Sequence, residues 1–67
     1  MEKKEILKEL EKEEYVRKGV ISLSKNEKEY VLSNFDTGIK ARFKLTDTEI
    51  AVKNFMSWAN ISRSRWA

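Results

Sequence analysis

Apolar and polar positions change period along this chain, and the changes mark its elements. From Glu2 to about Glu13 the residues are good helix formers, and Ile6, Leu7 and Leu10 give one narrow apolar stripe. A helix of that kind needs a surface to lie on. From Tyr15 to Ser24 the pattern alternates, with Tyr15, Arg17, Gly19, Ile21 and Leu23 on one side and Val16, Lys18, Val20, Ser22 and Ser24 on the other, which predicts an extended strand. Lys25-Asn26-Glu27-Lys28 reads as a hairpin loop, with Asn26 the residue best suited to a left-handed conformation.

A second strand, Glu29 to Phe35, is rich in β formers on both faces, so pattern alone leaves its register open. Asp36-Thr37-Gly38 reads as a type I turn closed by a left-handed glycine. In the third strand Ile39, Ala41, Phe43 and Leu45 alternate with Lys40, Arg42 and Lys44, so one face is apolar and the other carries three cations. From Asp47 to about Ser62 the period becomes helical, and Ala51, Val52, Phe55, Met56, Trp58 and Ala59 form a broad stripe that fits the apolar face of that strand.

At the strand-to-helix junction Thr46 and Glu49 have the spacing of a capping box, and Leu45 and Ile50 that of a hydrophobic staple. The expected fold class is α+β in the order α-β-β-β-α: a three-stranded antiparallel meander on a C-terminal amphipathic helix, with a short N-terminal helix on the same face or at an edge. The expected bounds are about 2–13 and 47–62 for the helices and about 15–24, 29–35 and 39–45 for the strands, all within one small domain spanning 1–67.

Composition narrows the chemistry. Without cysteine there is no disulfide, thiolate metal site or thiol nucleophile, and without histidine the commonest general base and metal ligand are missing. The two aspartates, Asp36 and Asp47, fall at a turn and a helix start, and Gly19 and Gly38 are too far apart for a phosphate loop. The expectation is no enzyme, no cofactor and no metal. Charged residues make up 37% of the chain, with net charge +3, so the basic excess is mild. No apolar run approaches the ~18 residues of a membrane span and the N-terminal stretch lacks a signal-peptide core, which sets the expected location as cytoplasmic, away from membranes.

Two groups of residues bear on binding. Lys40, Arg42 and Lys44 lie in line on the polar face of the third strand, where Lys18 of the first strand could join them, and a sheet can present such cations to phosphates. The same residues also keep a solvent-facing strand soluble. At the C-terminus Arg63, Arg65 and Trp66 could grip a phosphate and stack on a base, or serve helix capping, core packing or a dimer interface. Phe43, Phe55 and Trp58 are assigned to the core, while Tyr15, Tyr30 and Phe35 are left between core and stacking surface.

The β-β-β-α portion, Val16 to Ala59 with Lys40, Arg42 and Lys44, resembles in outline the arm-type DNA-binding domains of tyrosine recombinases, which implies a three-stranded sheet entering a groove with a helix behind it. The full order resembles some small phage-encoded anti-CRISPR proteins, many of them acidic where this chain is basic. Neither resemblance assigns a family. The leading expectation is a non-enzymatic binding module of bacterial, phage or mobile-element origin that contacts nucleic acid through Lys18, Lys40, Arg42, Lys44, Arg63, Arg65 and Trp66. Competing with it are a protein-binding regulator or inhibitor of a host enzyme and a homodimer whose main partner is itself.

Overall fold

A computed structural model describes the backbone of residues 2–66 and the side chains of residues 2–61. Helix α1 (Lys3–Glu13) leads into strands β1 (Tyr15–Lys18), β2 (Ile21–Lys25), β3 (Glu29–Asn34) and β4 (Lys40–Lys44), and a single 3-10 turn at Leu45–Asp47 opens helix α2 (Thr48–Trp66). The four strands form one antiparallel sheet in the order β1-β2-β3-β4. Its Cα radius of gyration is 11.0 Å, close to the ~11 Å of a compact chain this long.

The expected first strand is in fact two. Lys18 pairs with Ile21, so Gly19 and Val20 make a two-residue hairpin turn. Gly19 has φ +61 and Val20 stays in the ordinary region, the arrangement of a type II′ turn with glycine first. The consequence is a reversal of parity. Val16 faces Leu23 and Arg17 faces Ser22, whereas uninterrupted alternation puts Val16 with Ser22 and Arg17 with Leu23.

One core therefore forms under one face. Val16, Ile21, Leu23, Tyr30 and Leu32 point to the helices, where Ile6 and Leu10 of α1 and Ala51, Val52, Phe55 and Ala59 of α2 cover them. Both helices share that face, α1 lying against β1 and α2 against β2, β3 and β4, which settles the placement of the N-terminal helix. Phe55 is buried, and Phe43 and Trp58 pack partly buried around it. Ile39 and Met56, expected in the apolar stripes, are exposed; Ile39 lies in the β3–β4 turn, outside the strand.

The turns are closed by side chains. Asn34 Oδ1 accepts from the amides of Asp36 (2.8 Å) and Thr37 (3.1 Å), and Gly38, at φ +79, donates its amide to the Asn34 carbonyl at 2.8 Å. Asn26 works in the same way, its Oδ1 accepting from the amides of Lys28 and Glu29 at 2.8 Å each. Its own φ is not positive, so the expected left-handed asparagine is an Asx turn instead. The left-handed non-glycine residue is Glu14 (φ 57, ψ 24), whose amide donates to the Leu10 carbonyl and closes α1.

The strand-to-helix junction also differs from expectation. Glu49 reaches out to Lys3 Nζ of α1 at 2.8 Å, so it does not return to Thr46, and α2 begins at Thr48, one residue after the expected start. Ile50 is exposed, so no buried staple forms there. Thr48 fixes the junction: its Oγ1 donates to the Leu45 carbonyl at 3.1 Å and meets the hydroxyl of buried Tyr30 at 2.8 Å. A hydroxyl has one proton, which Thr48 gives to the carbonyl, so Tyr30 donates to Thr48.

Candidate nucleic-acid interface

With both helices on one side, no element among the described residues covers the other side of the sheet. Strand alternation and register place its residues in cross-strand rows. Arg17, Ser22, Ser33 and Lys40 are paired in succession across all four strands. A second row runs Tyr15, Ser24, Val31 and Arg42, and at the far end Glu29 faces Lys44. The central strands contribute Ser22, Ser24, Val31 and Ser33 to these rows, Ser22 and Ser33 being buried, while the cations stand along the two edges. Arg17, Lys40, Arg42 and Lys44 face outward; Glu29 lies 3.4 Å from Arg42 Nε, and Arg17 and Tyr15 also border a groove with Glu5, Glu9 and Glu13 of α1.

Arg17 is held in place. Its Nε donates to the Gly19 carbonyl at 2.9 Å, and its guanidinium carbon sits 4.7 Å from the centroid of the Phe35 ring, within cation–π range. This contact and the bond from the Phe35 amide to the Val20 carbonyl, 2.8 Å, bring Phe35 to the same open face beside the first row. Tyr15 and Phe35, whose side was undetermined by pattern, are 41% and 56% exposed there, while Tyr30 is buried at 3%.

Of the expected binding residues, Lys40, Arg42 and Lys44 lie together as read. Lys18 does not join them. It pairs with Ile21, which is wholly buried on the helix side, and it lines a cleft of about 350 Å³ with Ile6, Phe55 and Met56. The parity reversal at Gly19 puts Arg17 in its stead. Arg63, Arg65 and Trp66 fall within α2, but their side chains lie outside the described residues. Val20 packs against the core, so the aliphatic and phenyl side chains left on the outer face are Val31 and Phe35.

The charges are segregated. Residues 1–14 hold six of the eleven carboxylates and four of the fourteen cations, so the α1 end is acidic and the rest of the chain carries the basic excess. Glu49, paired to Lys3, titrates below the usual glutamate range because it accepts a hydrogen bond from the ammonium and feels its charge.

Fold and face together define a two-layer α+β domain, two helices on one side of a four-stranded antiparallel meander and a surface with cationic edges on the other. The four strands depart from the three-stranded outline of the arm-type domains. In comparisons with protein-family models, curated proteins and solved structures, nothing matches this chain. Among the described residues no helix is long and apolar enough to cross a membrane.

Proposed function

We propose that this protein is a non-enzymatic, cytoplasmic module that binds nucleic acid through the open face of its sheet. The observation that carries the reading is the cross-strand placement of Arg17, Lys40, Arg42 and Lys44 on the face opposite the helices, where Glu29 is the carboxylate paired into the same rows. Cations spread over such a face suit a chain of phosphates, which needs several contacts at once. Acidic α1 lies against β1, which leaves the β4 edge the more basic side of the sheet, so an anionic ligand is drawn first to Lys40, Arg42 and Lys44.

Anisotropy titrations of labelled duplex and single-stranded oligonucleotides test it. Four phosphate contacts give a log–log salt slope of about −3 to −4, a loss of roughly 100-fold in affinity from ~50 to ~200 mM salt. Replacing Lys40, Arg42 and Lys44 together by alanine flattens that slope. No binding of either oligonucleotide at ~50 mM salt sinks the proposal.

The competing reading is a protein-binding regulator or inhibitor of a host enzyme. It draws on Phe35 and Ile39, 56% and 59% exposed at the two ends of the β3–β4 turn. Recovery of one stoichiometric protein after nuclease treatment, with loss on Ile39→Asp, favours it over the nucleic-acid reading.

A further inference from the structure

The open face is sided as well as charged. Along β4 the outward residues are Lys40, Arg42 and Lys44, one cation every ~6.7 Å of strand. Across the sheet, three strand spacings or ~14 Å away, β1 presents Tyr15 and Arg17, with Phe35 beneath the guanidinium. Between the two sides lie Ser22, Ser24, Val31 and Ser33, of which Ser22 and Ser33 are already buried among their neighbours, so the exposed groups a ligand can meet are those at the two edges.

Exposed aromatic rings on a phosphate-binding face have little to contact in a duplex, whose bases are already stacked and paired. Unpaired bases expose their π-faces, and they stack on aromatic rings and on guanidinium planes alike. Arg17 is prepared for this: its Nε donates to the Gly19 carbonyl and its guanidinium sits over the Phe35 ring, so the plane is already fixed when a base arrives. We propose, resting on the nucleic-acid reading above, that the ligand is single-stranded, with its backbone along Lys40, Arg42 and Lys44 and about two or three bases laid towards Arg17–Phe35 and Tyr15. Arg17, Phe35 and Tyr15 are then binding residues of the site.

The test compares a labelled single-stranded oligothymidylate with a hairpin duplex of equal phosphate count at ~50 mM salt. The single strand binds at least about tenfold tighter, and Phe35→Leu, which keeps an apolar side chain without a π-face, weakens that binding about tenfold. The salt slope and the weaker duplex binding are unchanged by Phe35→Leu, because no phosphate contact is lost. Arg17→Lys keeps the charge and removes the plane, so it weakens the single-strand complex as well, and it serves as the deciding variant if Phe35→Leu alters the thermal midpoint. Equal affinity for duplex and single strand, or indifference to both substitutions, overturns the single-strand proposal and leaves the broader one standing. Absence of binding to both ligands overturns the two together.

Discussion

Replacing Thr48 by valine swaps a hydroxyl for a methyl at the hinge between the sheet and α2, and two buried or half-buried groups lose their partner at once. Tyr30, 3% exposed, is left with a phenolic proton that has no acceptor, and the Leu45 carbonyl loses a donor at 3.1 Å. A buried polar group stripped of its partner costs about 1–3 kcal/mol. Tyr30→Phe is milder, about 0.5–1.5 kcal/mol, because Thr48 keeps its bond to the carbonyl. In the double variant the phenol is gone before its acceptor is removed, so the total falls short of the sum of the singles by about 1 kcal/mol. A domain of this length is stable by roughly 3–10 kcal/mol, and 1 kcal/mol moves its midpoint by about 4–8 °C. Urea titration followed by far-UV circular dichroism measures all four proteins. If Thr48→Val costs the same in the Tyr30→Phe background as in the native chain, the hydroxyl chain does not hold the junction. Thr46→Ala is the control: Thr46 is exposed and lies inside the 3-10 turn instead of at a helix N-cap, so the variant's stability stays within about 0.5 kcal/mol of the native value.

Glu14 sits in the left-handed region (φ 57, ψ 24), where a residue with a Cβ is strained by about 1 kcal/mol. Glu14→Gly is expected to raise stability by about 0.5–1 kcal/mol, strain relief exceeding the added freedom of the unfolded chain, whereas Glu14→Val lowers it; a drop in the thermal midpoint with glycine contradicts the assignment. The Lys3–Glu49 pair predicts a pH effect of definite sign. Because the folded carboxyl titrates below its unfolded value, the pair stabilises above the ordinary glutamate range and its contribution is lost as pH falls through the lowered folded value. A carboxyl-carbon NMR titration is expected to show Glu49 returning to the ordinary range in Lys3→Ala, and an unmoved midpoint would remove Lys3 as the cause.

The elements that could be read from the residues are those whose period is uninterrupted. The α1 stripe through Ile6 and Leu10, the alternation of β4 and the α2 stripe through Val52 and Phe55 all stand where the pattern places them. The fourth strand was hidden because a two-residue turn leaves the look of alternation intact while inverting its parity, and the one clue was Gly19 in the first turn position. That single inversion decided which side chains share the open face, exchanging Lys18 for Arg17 and fixing where Tyr15 lies. Phe35 needed the β2–β3 register, which no local pattern holds. The capping box failed for a different reason. Glu49 had a choice of partners, and Lys3 on α1, 46 positions away, became available only once both helices packed on the same face.

The cations of the open face admit a second physical explanation, since β1 and β4 are both edge strands and charged side chains on an edge discourage pairing with another chain. Lys40 separates the two roles cleanly, because its cross-strand neighbour is Ser33 and reversing its charge creates no like-charge pair across the sheet. Edge protection needs a charge of either sign, while phosphate binding needs a positive one. Lys40→Ala and Lys40→Glu therefore part company. If Lys40 binds phosphate, both variants weaken binding, glutamate more than alanine, with the salt slope reduced by about 0.7 or more. If it only guards the edge, both bind as the native chain does, while Lys40→Ala self-associates and Lys40→Glu keeps the native molar mass by light scattering. The first pattern is expected. Arg17 lies on the opposite edge yet bonds back over Gly19 and Phe35, a conformation that sets the guanidinium above the sheet face instead of along its rim.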